Sequence, residues 1–132
     1  MKIAVSATGK DLHCQIDPRF GRCQYFVFVD PETMAFEAFE NEGLMASGGA
    51  GVQAAQLIAQ RGASVVITGN LGPNAASALS AAGIKVHLVP RGTVGEVTAA
   101  FKAGKLQEAS GPTVPPHFGM GGGRGMGRRR SV

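Results

Sequence analysis

The chain has 132 residues, 44% of them hydrophobic and 17% charged, which is enough apolar material for one buried core without a disulfide framework or a structural metal. No run approaches the ~18 consecutive apolar residues that a membrane-spanning helix needs, and MKIAVSA passes straight into strand-like sequence without a secretory leader, so no membrane association and a cytoplasmic location are expected. The net charge of +4 is concentrated at one end: Met1 to Ser110 carry nine Lys/Arg against nine Asp/Glu, and the surplus is Arg124, Arg128, Arg129 and Arg130, so nucleic acid is an unexpected partner except through this last segment.

Residues 2–7, KIAVSA, are apolar without alternation, the pattern of a central strand covered on both faces. A loop over 8–23 leads to QYFVFV (24–29), a β-branched and aromatic strand, and the turn sequence DPET joins it to MAFEAFEN, a third strand whose Glu37 and Glu40 mark it as an edge. The period then changes. In SGGAGVQAAQLIAQRG, Gln53, Gln56 and Gln60 recur on one helical face with Val52, Ala55, Ile58 and Ala59 opposite, and Gly62 ends the helix. ASVVIT is a buried strand, and GNLGPNAASALSAAG is a loop followed by an alanine-rich helix opened by Pro73 and closed by Gly83. IKVHLV is the fifth strand, with His87 a core histidine. Thr93 and Glu96 then form a capping box for a helix bearing Val94, Val97 and Phe101 on one side.

The order β-β-β-α-β-α-β-α predicts a three-layer α/β domain over 1–110, with a mixed five-stranded sheet flanked by helices. Residues 111–132, GPTVPPHFGMGGGRGMGRRRSV, hold too few apolar side chains for a core and are expected to be a disordered Gly/Met/Arg-rich tail. Its Met120, Met126 and His117 are soft or borderline metal ligands, and GGGRGMGRRR is the composition of RNA-binding RGG-type segments; a basic tail without an assigned task is the third reading.

If the first and fourth strands lie side by side in parallel, the 8–23 loop, the Gly48, Gly49 and Gly51 cluster and the Gly69, Asn70 and Gly72 turn meet at one end of the sheet, where two helix N-termini favour an anion. These glycines match neither a P-loop nor a GxGxxG fingerprint, and ordinary turns use the same residues. His13, Cys14 and Cys23 offer an imidazole and two thiols to a soft metal or metal-sulfur cluster, with Arg19 and Arg22 to balance an anionic one. Nine positions separate the cysteines, which is neither a CxxC redox motif nor zinc-finger spacing. Asp11, Asp17 and Asp30 share no strand face that would build a two-metal nuclease site, and no GxSxG elbow activates Ser6 or Ser47, so an enzyme is not expected.

DPRFGRCQYFVFVD, followed by GAGVQAAQLIAQRGASVVITGNLGPNAASALSAAGIKVHLV, resembles the dinitrogenase iron-molybdenum cofactor biosynthesis family from about Lys2 to Leu106, and most of all its stand-alone, orange-protein-like members. The resemblance implies a ribonuclease-H-like fold and binding rather than turnover. The cargo would be a metal-sulfur cluster, either molybdenum-copper sulfide or one like the iron-molybdenum cofactor, or a precursor exchanged with donor or acceptor proteins. It adds Phe20 and Gly21 of the RFGR motif to the candidate site. Nitrogen-fixing relatives typically carry His at the position of Arg19, so imidazole ligation there is closed to this chain, and an anionic thiometallate near Arg19 is the implied alternative. The rival expectation is an interaction or regulatory module whose tail contacts RNA or a protein partner.

Overall fold

A computed structural model describes residues 1–41 and 49–108; Gly48 and the whole 111–132 tail lie outside the described residues. Strands β1 (Ile3–Ala7), β2 (Tyr25–Val29) and β3 (Phe36–Glu40) are followed by helix α1 (Ala50–Gln60), strand β4 (Val65–Thr68), helix α2 (Pro73–Ala81), strand β5 (Lys85–Leu88) and helix α3 (Val94–Lys102), in the order the sequence implies. The sheet runs β3-β2-β1-β4-β5. The β1–β4 and β4–β5 pairs are parallel and the β1–β2 and β2–β3 pairs antiparallel, so β3 is an edge.

Alternation within the strands divides one core into two. Ala4, Phe26, Phe28, Val66 and Val86 face α1 and α2, which contribute Ala54, Ala55, Leu57, Ile58, Ala75 and Leu79. Ile3, Val5, Val27, Val29, Val65 and Ile67 face the other way and are covered by Val94 and Val97 of α3. Helices on both faces give three layers and explain why β1 is apolar throughout, since every one of its residues is buried. The buried stripe of α1 is rotated from the predicted one. Ala54 and Leu57 are inside and Ala59 is outside, because α1 packs against α2 as well as the sheet. Gly62 and Gly83 end α1 and α2 at φ values of 81° and 75°, a region closed to most side chains. His87 is buried as a core residue, its ring 5.1 Å from that of Phe101 in an edge-on contact, with Nδ1 making no hydrogen bond.

Two buried hydroxyls at the C-terminal ends of the parallel strands fix the loop that follows β1. Ser6 Oγ lies 2.6 Å from the Asp17 carbonyl oxygen and 2.8 Å from Thr68 Oγ1. With a single proton, Ser6 donates to the carbonyl and accepts from Thr68. The Asp17 amide closes the pair by donating to the Ser6 carbonyl at 2.8 Å. Replacing Ser6 with Ala leaves both partners buried and unsatisfied, so Ser6→Ala is expected to lower the free energy of unfolding by about 1–3 kcal/mol in urea titrations.

Candidate functional site

Because β1 and β4 run in parallel, the loops that leave them open at the same end of the sheet, and they are joined there by backbone. The Asn70 amide donates to the Pro18 carbonyl at 2.7 Å, and Arg19 and Asn70 form an isolated parallel bridge. Gly69 makes this possible, since a Cβ at that position would come within 2.7 Å of Pro18 Cα. Above this junction is an open crevice of about 460 Å³ bounded by Arg19–Arg22, by the start of α1 and by the start of α2.

Its walls are rich in backbone donors. The first internal bonds of α1 and α2 are made by the amides of Gln53 and Ala76, which donate to the Gly49 and Gly72 carbonyls. The amides of Ala50, Gly51 and Val52 in α1, and of Asn74 and Ala75 in α2, therefore have no acceptor in their own helices. Neither helix has a side-chain cap or an acidic residue in its first turn. All five of these residues line the crevice. Small residues let the two helix starts approach: a Cβ on Gly51 would sit 3.0 Å from Ala75 Cβ, and one on Gly21 would sit 3.0 Å from the Gly51 nitrogen.

The third helix start is closed. Thr93 and Glu96 form the expected capping box, and the amides of Val94 and Gly95 donate to the carbonyls of Cys14 and Leu12, each at 2.9 Å. The 8–23 loop thus spans the end of the sheet. Its first half satisfies α3, whereas among the described residues its second half makes no such bonds to the starts of α1 and α2.

This division separates the candidate residues. Arg19, Phe20, Gly21, Arg22, Gly49, Gly51, Asn70 and Gly72 line the crevice, whereas Gly69 lies at the loop junction beneath it. His13 and Cys14 are on the half of the loop that meets α3. His13 is exposed, and Cys14 is half-buried with Sγ 3.4 Å from Asp11 Oδ1. The His13 amide donates to that same carboxylate at 2.8 Å and, with the Cys14 thiol, holds the Asp11 pKa below its usual 3.8. Cys23 is fully buried under the Phe20 carbonyl, 3.4 Å from its Sγ. Among the described residues, no three His, Cys, Asp or Glu side chains gather as a metal site.

Charge in the crevice differs between the two arginines. Arg19 gives Nε and Nη2 to Asp17 at 3.1 and 3.0 Å, and these hydrogen bonds and the carboxylate's charge raise its pKa above the ordinary guanidinium value. Arg22 is exposed and forms no ion pair among the described residues. Several residues that shape the site escaped the sequence reading. Asn41 donates from Nδ2 to the carbonyls of Gly21 and Cys23 at 3.1 and 2.9 Å, and Ser6, Thr68 and Asp17 hold the loop from below. Polar residues at the ends of otherwise apolar strands were the available signal.

The molecule is thus a three-layer α/β domain with two helix starts at the carboxyl end of its parallel strands, an arrangement whose free amides are chemically suited to an anion. Residues 1–104 match the family described as dinitrogenase iron-molybdenum cofactor, and the chain belongs to that family. It is similar to the apo form of the orange protein from Desulfovibrio gigas, with 46% identity, a TM-score of 0.83, and 86% of this chain and 96% of that one covered. A Thermotoga protein of the DUF35 family, solved by NMR, is 36% identical with a TM-score of 0.71 over 81% of this chain and 91% of its own. An uncharacterized protein of Methanocaldococcus jannaschii is 32% identical over 111 residues, 82% of this chain and 91% of that one. Among the described residues no helix is long and apolar enough to cross a membrane.

Burial, reinforced by the charge of Asp17, pushes the Cys23 thiol from its usual 9.0 up to about 12. The unfolded chain loses this proton near pH 9.0 and the folded chain retains it to about 12, so the unfolded state binds fewer protons within that window and stability falls as pH rises through it. The expected slope is up to about 1.4 kcal/mol per pH unit, and Cys23→Ala should flatten it relative to the parent chain in urea titrations between pH 8 and about 10.5.

Proposed function

We propose that this protein is a non-enzymatic carrier or scaffold for an anionic metal-sulfur cluster, which rests as cargo in the crevice between the Arg19–Arg22 segment and the starts of α1 and α2. The observation that carries the reading is the pair of uncapped helix N-termini opening side by side into one cavity beside Arg22. Five outward amides and two aligned dipoles provide fixed partial positive charge, which suits the sulfide edge of an inorganic anion. Family membership and the likeness to the orange protein support a role in metal-cluster handling.

Recognition here is by hydrogen bonding and charge. A thiol with its pKa pushed up to about 12 is protonated at neutral pH and is a poor metal ligand, and His13 and Cys14 sit on the half of the loop that serves α3. By the family resemblance, Arg19 stands where nitrogen-fixing relatives typically have His, a favoured cofactor ligand. This favours a preassembled thiometallate, such as a molybdenum-copper sulfide, over a cluster ligated by imidazole. Such holding permits uptake from a donor protein and hand-over to an acceptor without breaking metal-protein bonds.

Titrating the metal-free full chain with tetrathiomolybdate, with and without Cu(I), is expected to give a saturable change in the visible charge-transfer bands. In Gly21→Ala the new methyl would lie 3.0 Å from the Gly51 nitrogen and cover its amide. This variant should bind about tenfold more weakly or worse. Arg22→Ala should weaken binding and reduce its salt dependence. Binding unaltered in both variants would remove the crevice as the site.

A further inference from the structure

The Asp17–Arg19 pair is unevenly buried, with Asp17's side chain 5% exposed and Arg19's 66% exposed. Asp17 is held from three sides. Its backbone exchanges hydrogen bonds with Ser6, its Oδ1 accepts both the Arg19 amide at 2.9 Å and Nε at 3.1 Å, and its Oδ2 accepts Nη2 at 3.0 Å. Arg19 is therefore clamped in a bidentate fork, with its charge already answered by a carboxylate behind it. An anion entering the crevice meets an electrically neutral unit at this wall. Among the described residues, the positive groups of the crevice without an acidic partner are Arg22 and the amides of the two helix starts.

We propose that Asp17 is a positioning residue that pins Arg19 to the crevice wall and cancels its charge, so that an anionic cargo is held by backbone amides and Arg22 at an affinity suited to release. This rests on the anion-carrier reading above. A carrier whose two arginines were both uncompensated would hold a multiply charged anion more tightly and release it more slowly. For a dianion, one unit charge about 8 Å away changes affinity by about fivefold even at the dielectric constant of water, and by more where water is displaced.

The test is tetrathiomolybdate binding to the metal-free full chain at two ionic strengths, with circular dichroism to establish that each variant is folded. Asp17→Asn keeps an oxygen for the Arg19 amide and removes the charge; it should bind at least about fivefold tighter at low salt, with steeper salt dependence. Arg19→Ala, which uncovers the buried carboxylate, should bind about tenfold more weakly, and the double variant Asp17→Asn/Arg19→Ala should return to within about threefold of the parent. Asp17→Ser carries the same expectations if the Asn variant does not fold. An Asp17→Asn affinity at or below that of the parent overturns the proposal. So does a double variant as weak as Arg19→Ala, because Arg19 would then contact the anion directly. Parent binding without tightening in Asp17→Asn defeats this inference alone, whereas no binding by the parent or Asp17→Asn defeats the carrier reading with it.

Discussion

Parallel pairing of β1 with β4 is the constraint from which the crevice follows. Ile3, Ala4 and Val5 register against Val65, Val66 and Ile67, which brings both following loops and the starts of α1 and α2 to one rim. An antiparallel arrangement of these two central strands would send the loops to opposite ends and leave no crevice. The pairing also brings Ser6 within reach of Thr68, and this hydroxyl contact anchors the Asp17 segment above it. A single choice of strand direction thus supplies the cavity and the fastening of its wall.

The three helices then show how one fold builds both a closed end and a receptive one. At α3 every early donor is assigned: Thr93 and Glu96 cap each other, and the loop carbonyls of Leu12 and Cys14 take the next amides. At α1 and α2 the N-cap residues are Gly49 and Gly72, which have no side chain to bend back on the helix. Uncapped helix starts lower stability, and two of them placed together are the feature on which the proposed anion site rests. Glycine and alanine at positions 21, 51 and 75 then keep the amides uncovered by restricting the contact to backbone and single methyl groups.

Much of this was readable from the sequence. Element order followed from apolar period and turn chemistry, and the crevice followed from strand direction combined with the glycine clusters at 49–51 and 69–72. The internal wiring of the 8–23 loop was not readable, because it is set by long-range contacts. Asp17 is fixed by Ser6, Pro18 by Asn70, and Gln15 by a bridge to Thr93. Local propensity contains none of these, so the spacing of His13, Cys14 and Cys23 carried no information about their different environments. Arg19 looked from its charge like an anion ligand, and only the folded loop brings Asp17 beneath it.

Burial of Cys23 has a chemical consequence for a neighbour rich in sulfur. Thiolates displace sulfide from molybdenum and copper, reduce the metal, and enter mixed disulfides, whereas a protonated thiol does these things poorly. Packed under the Phe20 carbonyl with its proton retained to about pH 12, the Cys23 sulfur is a spectator. In the carrier proposed above, a sulfur-rich cargo would therefore meet no thiolate from this position at neutral pH, and its composition would be left as it arrived.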